Sequence, residues 1–105
     1  MSYEYTLFLS EMLPAKAVFL NKIRTSSVFI CEDNGVFALA DPQLDRSWNY
    51  DARIIEEDGN KFTIEVGARS SILYWTLKRS LEGMEYKLMD IDCEEAVSLE
   101  SVFRI

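Results

Sequence analysis

The chain has 105 residues, of which 49% are hydrophobic, and its 18 acidic and 11 basic side chains give a net charge of −7. This length and apolar content exclude a disordered chain and predict a single domain, residues 1–105. No apolar run approaches the roughly 20 residues that span a bilayer, and residues 1–10 lack the basic charge of a signal peptide, so we expect a cytoplasmic protein without membrane contact.

The first part of the chain predicts a strand followed by a helix. Residues 3–9 alternate apolar and polar side chains, with the period of a half-buried strand. Residues 10–23 predict a helix, because Pro14 falls in its first turn, where proline is tolerated. The run Val18-Phe19-Leu20 leaves a strand open as the alternative.

A hairpin and a long irregular stretch follow. Residues 27–31 and 36–40 predict two strands, and Asn34-Gly35 between them is a strong turn signal. Residues 41–51 have no periodic pattern and predict the longest loop of the chain.

Residues 48–91 form the stretch around which the rest is organised, with three or four consecutive strands expected. Residues 52–57 and 62–66 predict a hairpin, because Asp58-Gly59 tolerates the positive φ of a tight turn. Residues 84–88 alternate in the same way. This stretch supplies most of the predicted sheet.

Residues 70–81 allow two interpretations. The run Ile-Leu-Tyr-Trp-Thr-Leu is rich in residues that favour a strand, which is the preferred prediction and places Trp75 in the core. A helix is the alternative, with Ser70 or Ser71 as its cap and Gly83 near its end.

The C-terminal part predicts a second helix. Asp92 with Glu95 resembles a capping box for a helix over residues 93–99, and residues 101–105 predict a last strand or a packed tail. The elements together predict an α+β fold: an antiparallel sheet of about six or seven strands, in a curled meander, with one or two helices packed on it. The helix over residues 14–23 is expected to cover one face.

The composition excludes several kinds of chemistry. Without histidine there is no Ser–His or Cys–His nucleophile and no histidine-ligated metal. A glycine-rich phosphate loop is also missing, so no cofactor is expected. Two cysteines, Cys31 and Cys93, are too few for a disulfide framework and predict reduced thiols packed as small apolar groups, with a bridge between the two left open as the alternative.

Two acidic groups could in principle do acid–base work or bind calcium. Residues 56–58 and 90–95 lie in expected turns, where exposed carboxylates keep ordinary pKa values and are poor general acids at neutral pH. Residues 90–94 resemble the start of a calcium loop, but Ser101 stands where the closing glutamate belongs. The chain is therefore expected not to be an enzyme and not to bind a metal.

One aromatic and basic patch could suggest stacking on nucleic acid. The surrounding negative charge opposes a phosphate backbone, so direct nucleic-acid binding is not expected. The patch consists of Tyr74, Trp75, Lys78 and Arg79, with Lys87 across the turn.

Acidic side chains near large aromatics predict a protein interface. Aromatic anchors ringed by charge are typical of tight interfaces. The alternative is that the aromatics cover the end of the sheet and the acids form turns. The predicted partner-binding residues are Trp48, Tyr50, Asp51, Glu56, Glu57, Asp58, Asp90, Asp92, Glu94 and Glu95.

With about a hundred residues, a cytosolic start, no catalytic set and these acids displayed near turns, the chain resembles the small immunity proteins of bacterial toxin systems, including those of contact-dependent growth inhibition. The resemblance is one of overall profile. It implies a non-catalytic cytoplasmic inhibitor that binds a basic toxin domain, commonly a nuclease, and blocks its active site. A monomer is expected in preference to a dimer.

Functions of other classes remain open. A phage or bacterial adaptor, or a secretion chaperone, would also bind another protein, and a chaperone should be dimeric with an apolar groove. A small-molecule-binding domain would need a large apolar cavity, for which Trp75, Tyr86 and Phe62 are the expected lining.

Overall fold

Side chains alternate between the two faces of the sheet along the strands that build it. The computed structural model describes residues 3–9, 15–43, 50–92 and 94–104. In β1, Leu7 and Leu9 are buried while Phe8 between them is exposed, because successive side chains point to opposite faces. The elements are β1 (Tyr3–Leu9), α1 (Ala15–Arg24), β2 (Phe29–Asp33), β3 (Val36–Leu39), β4 (Ala52–Glu56), β5 (Lys61–Val66), α2 (Ser71–Ser80), β6 (Tyr86–Asp90) and α3 (Leu99–Phe103).

The six strands form one open antiparallel sheet in the order β2-β3-β4-β5-β1-β6. The α+β class and the strand number predicted from sequence are confirmed. The meander extends over β2 to β5 only, because β1 lies between β5 and β6, with Leu7 opposite both Phe62 and Leu88. Within the described ranges the sheet carries three helices, one more than the sequence predicts.

All three helices pack on the same face of the sheet. Phe19 of α1, Leu77 of α2 and Phe103 of α3 are fully buried in one cluster with the inward side chains of the strands. The rings of Phe19 and Phe62 meet edge to face, with centroids 5.3 Å apart. The opposite face of the sheet carries no helix among the described residues.

The strand preferred for residues 70–81 is wrong, because this segment is helix α2. Ser70 caps it by accepting a hydrogen bond from the Leu73 amide at 3.1 Å, and its hydroxyl donates to the buried Asp41 carboxylate at 2.6 Å. A helix then places Leu73 and Leu77 on the core side and leaves Trp75 50% exposed. Trp75 is therefore not a core residue, and tertiary burial outweighs the β-propensity of the run.

The predicted turns and first helix agree with the structure. Asn34 and Gly35 take φ values of 50° and 78°, as a tight primed hairpin turn requires, and Gly59 takes 67° in the next hairpin. Helix α1 begins at Ala15, and Pro14 lies outside the described residues.

The helix predicted over residues 93–99 is wrong. Glu94 has a φ of 54°, which no helix accommodates, and the chain instead turns back along β6. Helix α3 begins at Leu99, where Ser98 accepts a hydrogen bond from the Ser101 amide at 3.1 Å. Residues 101–103, predicted as a strand or a packed tail, belong to this helix and bury Val102 and Phe103.

Leu77→Ala should destabilise the protein by about 2–5 kcal/mol, because it leaves a cavity where a fully buried side chain packs. Trp75→Ala, two residues away, should cost about 1 kcal/mol, since that ring is half exposed and contacts Tyr74 and Lys78 of its own helix. Urea unfolding monitored by circular dichroism measures both. Equal losses would contradict the helix, because only a strand places residues 75 and 77 on the same face.

Tyr74→Phe should raise the pKa of Glu100 towards its ordinary value of about 4.3, because the Tyr74 hydroxyl donates a 2.7 Å hydrogen bond that lowers it. A carboxyl whose pKa is lower in the folded than in the unfolded protein stabilises the fold at pH values above its unfolded-state pKa. This contribution disappears as the pH falls through the folded-state pKa. The variant should therefore lose stability at neutral pH but not in strong acid. Carbon-13 NMR titration of Glu100 measures the shift, with Tyr86→Phe as the exposed control.

Candidate functional site

The structure places the two predicted acidic groups at opposite ends of the sheet. Residues 56–58, which comprise the last residue of β4 and the turn after it, lie at the end where β1 finishes, since the Leu9 amide donates to the Asn60 carbonyl at 2.9 Å. Residues 90–95 follow the other end of β6, beside Glu4 at the start of β1. The strands β5 and β1 separate β4 from β6, so the two groups do not form one surface.

Residues 90–92, 94 and 95, which we call the acidic turn, are held by hydrogen bonds to backbone groups. The Asp90 amide donates to the Glu95 carbonyl at 2.9 Å, and the Glu94 amide donates to the Asp90 carbonyl at 2.8 Å. The Asp90 side chain accepts from the Asp92 amide at 2.8 Å. Beyond the turn, the Val97 amide donates to the Leu88 carbonyl at 3.0 Å, so the chain runs back along β6. The described residues of the turn are therefore tied to one another and to β6.

The carboxylates of the acidic turn face solvent as separate charges. Asp92, Glu94 and Glu95 are exposed, and none makes an ion pair within the described part of the chain. Among the described residues, no three acidic or thiol side chains are close enough to hold a metal ion. Ile91, which is 40% exposed, adds an apolar side chain to the same turn.

Asp90 differs from the other acids because it is partly buried beside Tyr5. Burial, and after it the negative charge of Asp90, raise the pKa of the Tyr5 hydroxyl, while the Arg104 guanidinium opposes them. Asp90 therefore anchors the turn at the end of β6, and the exposed carboxylates follow it in the chain.

The acids after β4 are mostly engaged with their own chain. Glu56 forms a 2.7 Å ion pair with Lys16, whose ammonium also donates to the Gly59 carbonyl at 3.0 Å. Glu57 accepts a 3.0 Å hydrogen bond from the Thr63 hydroxyl. Asp58 is exposed. This group therefore offers a partner fewer uncommitted charges than the acidic turn.

Two of the three predicted contact residues in the loop before β4 have intramolecular roles. Asp51 is only 3% exposed and accepts from the Asp41 amide at 2.8 Å, so its prediction as a surface contact is wrong. The Tyr50 ring lies 4.8 Å from the Arg53 guanidinium carbon. Trp48 lies outside the described residues, so its predicted role stays a prediction.

The face of the sheet without helices has mixed charge. Arg53 donates to Glu65 at 2.8 Å, and this hydrogen bond raises the pKa of Arg53. Phe8 is 38% exposed between Lys61 and Lys87. On the described strands the acids and bases of this face balance, with Glu4, Asp33 and Glu65 against Arg53, Lys61 and Lys87.

Cys31 also lies on that face, opposite Ala38, and its thiol is exposed. The prediction that it packs as a small apolar group is wrong, because β2 is an edge strand that the helices do not cover on this side. Cys93 lies outside the described residues.

Two other groupings predicted from sequence do not form. Lys87 lies in β6 on the helix-free face, away from Trp75 on α2, so the aromatic and basic patch is split. Phe62 is fully buried, whereas Trp75 and Tyr86 are 50% and 41% exposed, so these three do not line one cavity. Sequence reasoning also missed the groove between α1 and α2, because the strand preferred for residues 70–81 removed α2 from consideration.

Comparison of the chain with protein-family models, curated proteins and solved structures finds no significant match. Across the described ranges, no helix combines the length and apolar character needed to cross a membrane. The function is therefore inferred from the chain's own residues, of which the acidic turn is the most distinctive group.

Asp90→Ala should loosen the acidic turn, because it removes the carboxylate that accepts from the Asp92 amide. Loss of one such hydrogen bond, worth about 1 kcal/mol, should speed exchange of the Asp92 amide roughly fivefold. Asp90→Asn is the matched control, since it keeps an acceptor oxygen without the charge. Hydrogen exchange followed by NMR measures both, and equal exchange in the two variants would show that the side chain does not hold the turn.

Proposed function

We propose that this protein is a non-catalytic immunity protein that binds a basic toxin domain, a nuclease, and neutralises it by covering its positively charged surface. The observation that carries this proposal is the acidic turn, in which Asp92, Glu94 and Glu95 extend from a hydrogen-bonded backbone without ion pairs in the described part of the chain. Asp90 anchors the turn, and Ile91 supplies an apolar contact.

Charge complementarity explains why such a turn suits an inhibitor of a nuclease. A nuclease must present positive charge to the phosphate backbone of its substrate, so an inhibitor with a negative surface is attracted to that same site. Complementary charges can raise the association rate to about 10⁸–10⁹ M⁻¹s⁻¹ at low salt. The exposed acids would act over a Debye length of about 10 Å at 0.1 M salt, so the rate should fall as salt is added.

The hydrogen bonds of the turn also favour binding. A loop that is ordered only in the complex loses conformational entropy on association, whereas a turn already held by three hydrogen bonds loses little. Interfaces commonly combine an apolar anchor with a charged rim, and Ile91 between Asp90 and Asp92 has that arrangement.

The partner can be identified by affinity capture from the native cell and then purified. The proposal expects a protein with a basic nuclease domain whose cleavage of nucleic acid stops at one equivalent of this chain. Capture of a partner without enzymatic activity would instead favour the adaptor or chaperone function. The proposal also carries the expectations of a cytoplasmic location and of a monomer, the latter measurable by size-exclusion chromatography with light scattering.

Replacing Glu94 and Glu95 by lysine should slow association with that nuclease roughly tenfold and flatten its salt dependence, because the attractive field is reversed at the contact. E82K/E85K is the matched control: it changes the net charge equally, but both residues lie at the opposite end of β6. Stopped-flow fluorescence at several salt concentrations measures the rates, and thermal unfolding confirms that the fold is retained. If both double variants slow association alike, only the overall charge matters and the acidic turn is not the contact.

A further inference from the structure

A groove with the opposite charge runs between helices α1 and α2 on the outer side of the helical layer. It consists of two adjoining hollows of about 400 and 390 Å³, which share Ser27, Thr76 and Arg79. We call it the α1–α2 groove. Its other lining residues are Lys22, Thr25, Ser26, Ser71, Ile72, Trp75, Ser80 and Glu82.

The charge of the α1–α2 groove opposes that of the whole chain. Lys22 and Arg79 are exposed and make no ion pair within the described part of the chain, and Glu82 is the one acid that lines the groove there. Lys78 lies next to it, with its ammonium 5.0 Å from the Trp75 ring centroid. On a protein with a net charge of −7, this local excess of cations favours a negatively charged ligand.

The hydroxyl groups of the groove indicate which kind of anion fits. Thr25 donates its proton to the Asn21 carbonyl at 3.0 Å, and Thr76 donates to the Ile72 carbonyl at 2.8 Å. Ser26 donates in the same way to Ile23. Because these protons are committed to the helices, the oxygens of Thr25, Thr76 and Ser26 can only accept hydrogen bonds from a ligand, whereas the hydroxyls of Ser27 and Ser71 can also donate. A peptide backbone offers N–H donors for the first group and carbonyl acceptors for the second, whereas a phosphodiester backbone has no donor.

The dimensions and apolar part of the groove also suit a peptide. Helix α2 has ten residues and is therefore about 15 Å long, which an extended peptide spans with roughly five residues. Trp75 is half exposed beside the partly buried Ile72, and together they offer a site for one large apolar side chain.

We propose that the α1–α2 groove binds an extended acidic peptide segment of another protein, with its carboxylates on Lys22 and Arg79 and one apolar side chain on Trp75. This surface differs in charge and position from the acidic turn. The groove therefore takes a different ligand from the basic toxin domain, and its occupancy does not depend on the proposed immunity function.

A library of random short peptides, selected on the intact protein without counter-selection, tests this proposal. Selected peptides should be rich in Asp and Glu with one large apolar residue. They should quench or shift the fluorescence of Trp75 in a Trp48→Phe background, and K22E/R79E should weaken binding roughly tenfold, with the effect reduced by salt. K61E/K87E, which makes the same change in charge on the helix-free face, should bind normally.

Selection of neutral or basic peptides, or of none, would overturn the proposal. So would equal binding to K22E/R79E and to K61E/K87E. Binding of a short oligothymidylate that depends on Lys22 and Arg79 would assign the groove to nucleic acid instead. E94K/E95K should bind the peptides unchanged, so failure of the peptide proposal and failure of the immunity proposal are separate results.

Discussion

The burial of one face of an antiparallel sheet is the constraint on which the rest of this structure depends. Strands β1, β3, β4, β5 and β6 bury side chains in one cluster with residues of the three described helices, and Phe29 of β2 packs against it. At about 25 cal/mol per Å² of apolar surface, this contact is the main source of stability available to a chain of this size. Polar groups that lie within it, such as Ser70 and Asp41, are hydrogen-bonded to each other.

The same layered arrangement separates the charges of the protein. The helical layer exposes Lys22 and Arg79 on its outer side, the helix-free face carries balanced charge, and the exposed acids Asp92, Glu94 and Glu95 follow β6. A net charge of −7 therefore describes no single surface of the molecule. Binding of a basic and of an acidic partner can be compatible on such a protein because the two surfaces are built from different elements.

The fold was largely predictable from local patterns. Alternation in residues 3–9 and 62–66 and the Asn34-Gly35 turn depend on neighbours in sequence, and these predictions are confirmed. Residues 70–81 were not predictable in this way, since the partner that fixes the Ser70 cap is Asp41, which lies 29 positions away. Trp75 was misplaced as a consequence, because a strand would place its side chain in the core whereas helix α2 places it in solvent.

The candidate site was predictable only in part. Sequence identified residues 90–95 as acidic and exposed, but it expected a helix there, because the left-handed conformation of Glu94 has no clear signal in a non-glycine residue. It also grouped Asp51 with the surface acids, although the hydrogen bond from the Asp41 amide holds it inside. Which acids pair with lysines depends on the tertiary structure, as Glu56 and Lys16 show.

The two edge strands of the sheet, β6 and β2, resist polymerisation by different means. Residues 95–97 fold back over part of β6 and occupy its outward amides and carbonyls, so a foreign strand cannot add there. In β2 a bulge between Phe29 and Cys31 interrupts the regular ladder of hydrogen bonds, and Glu32 and Asp33 place carboxylates on the rest of this edge strand. Replacing those two acids by neutral residues would leave the bulge as the remaining barrier to fibre growth along this edge strand.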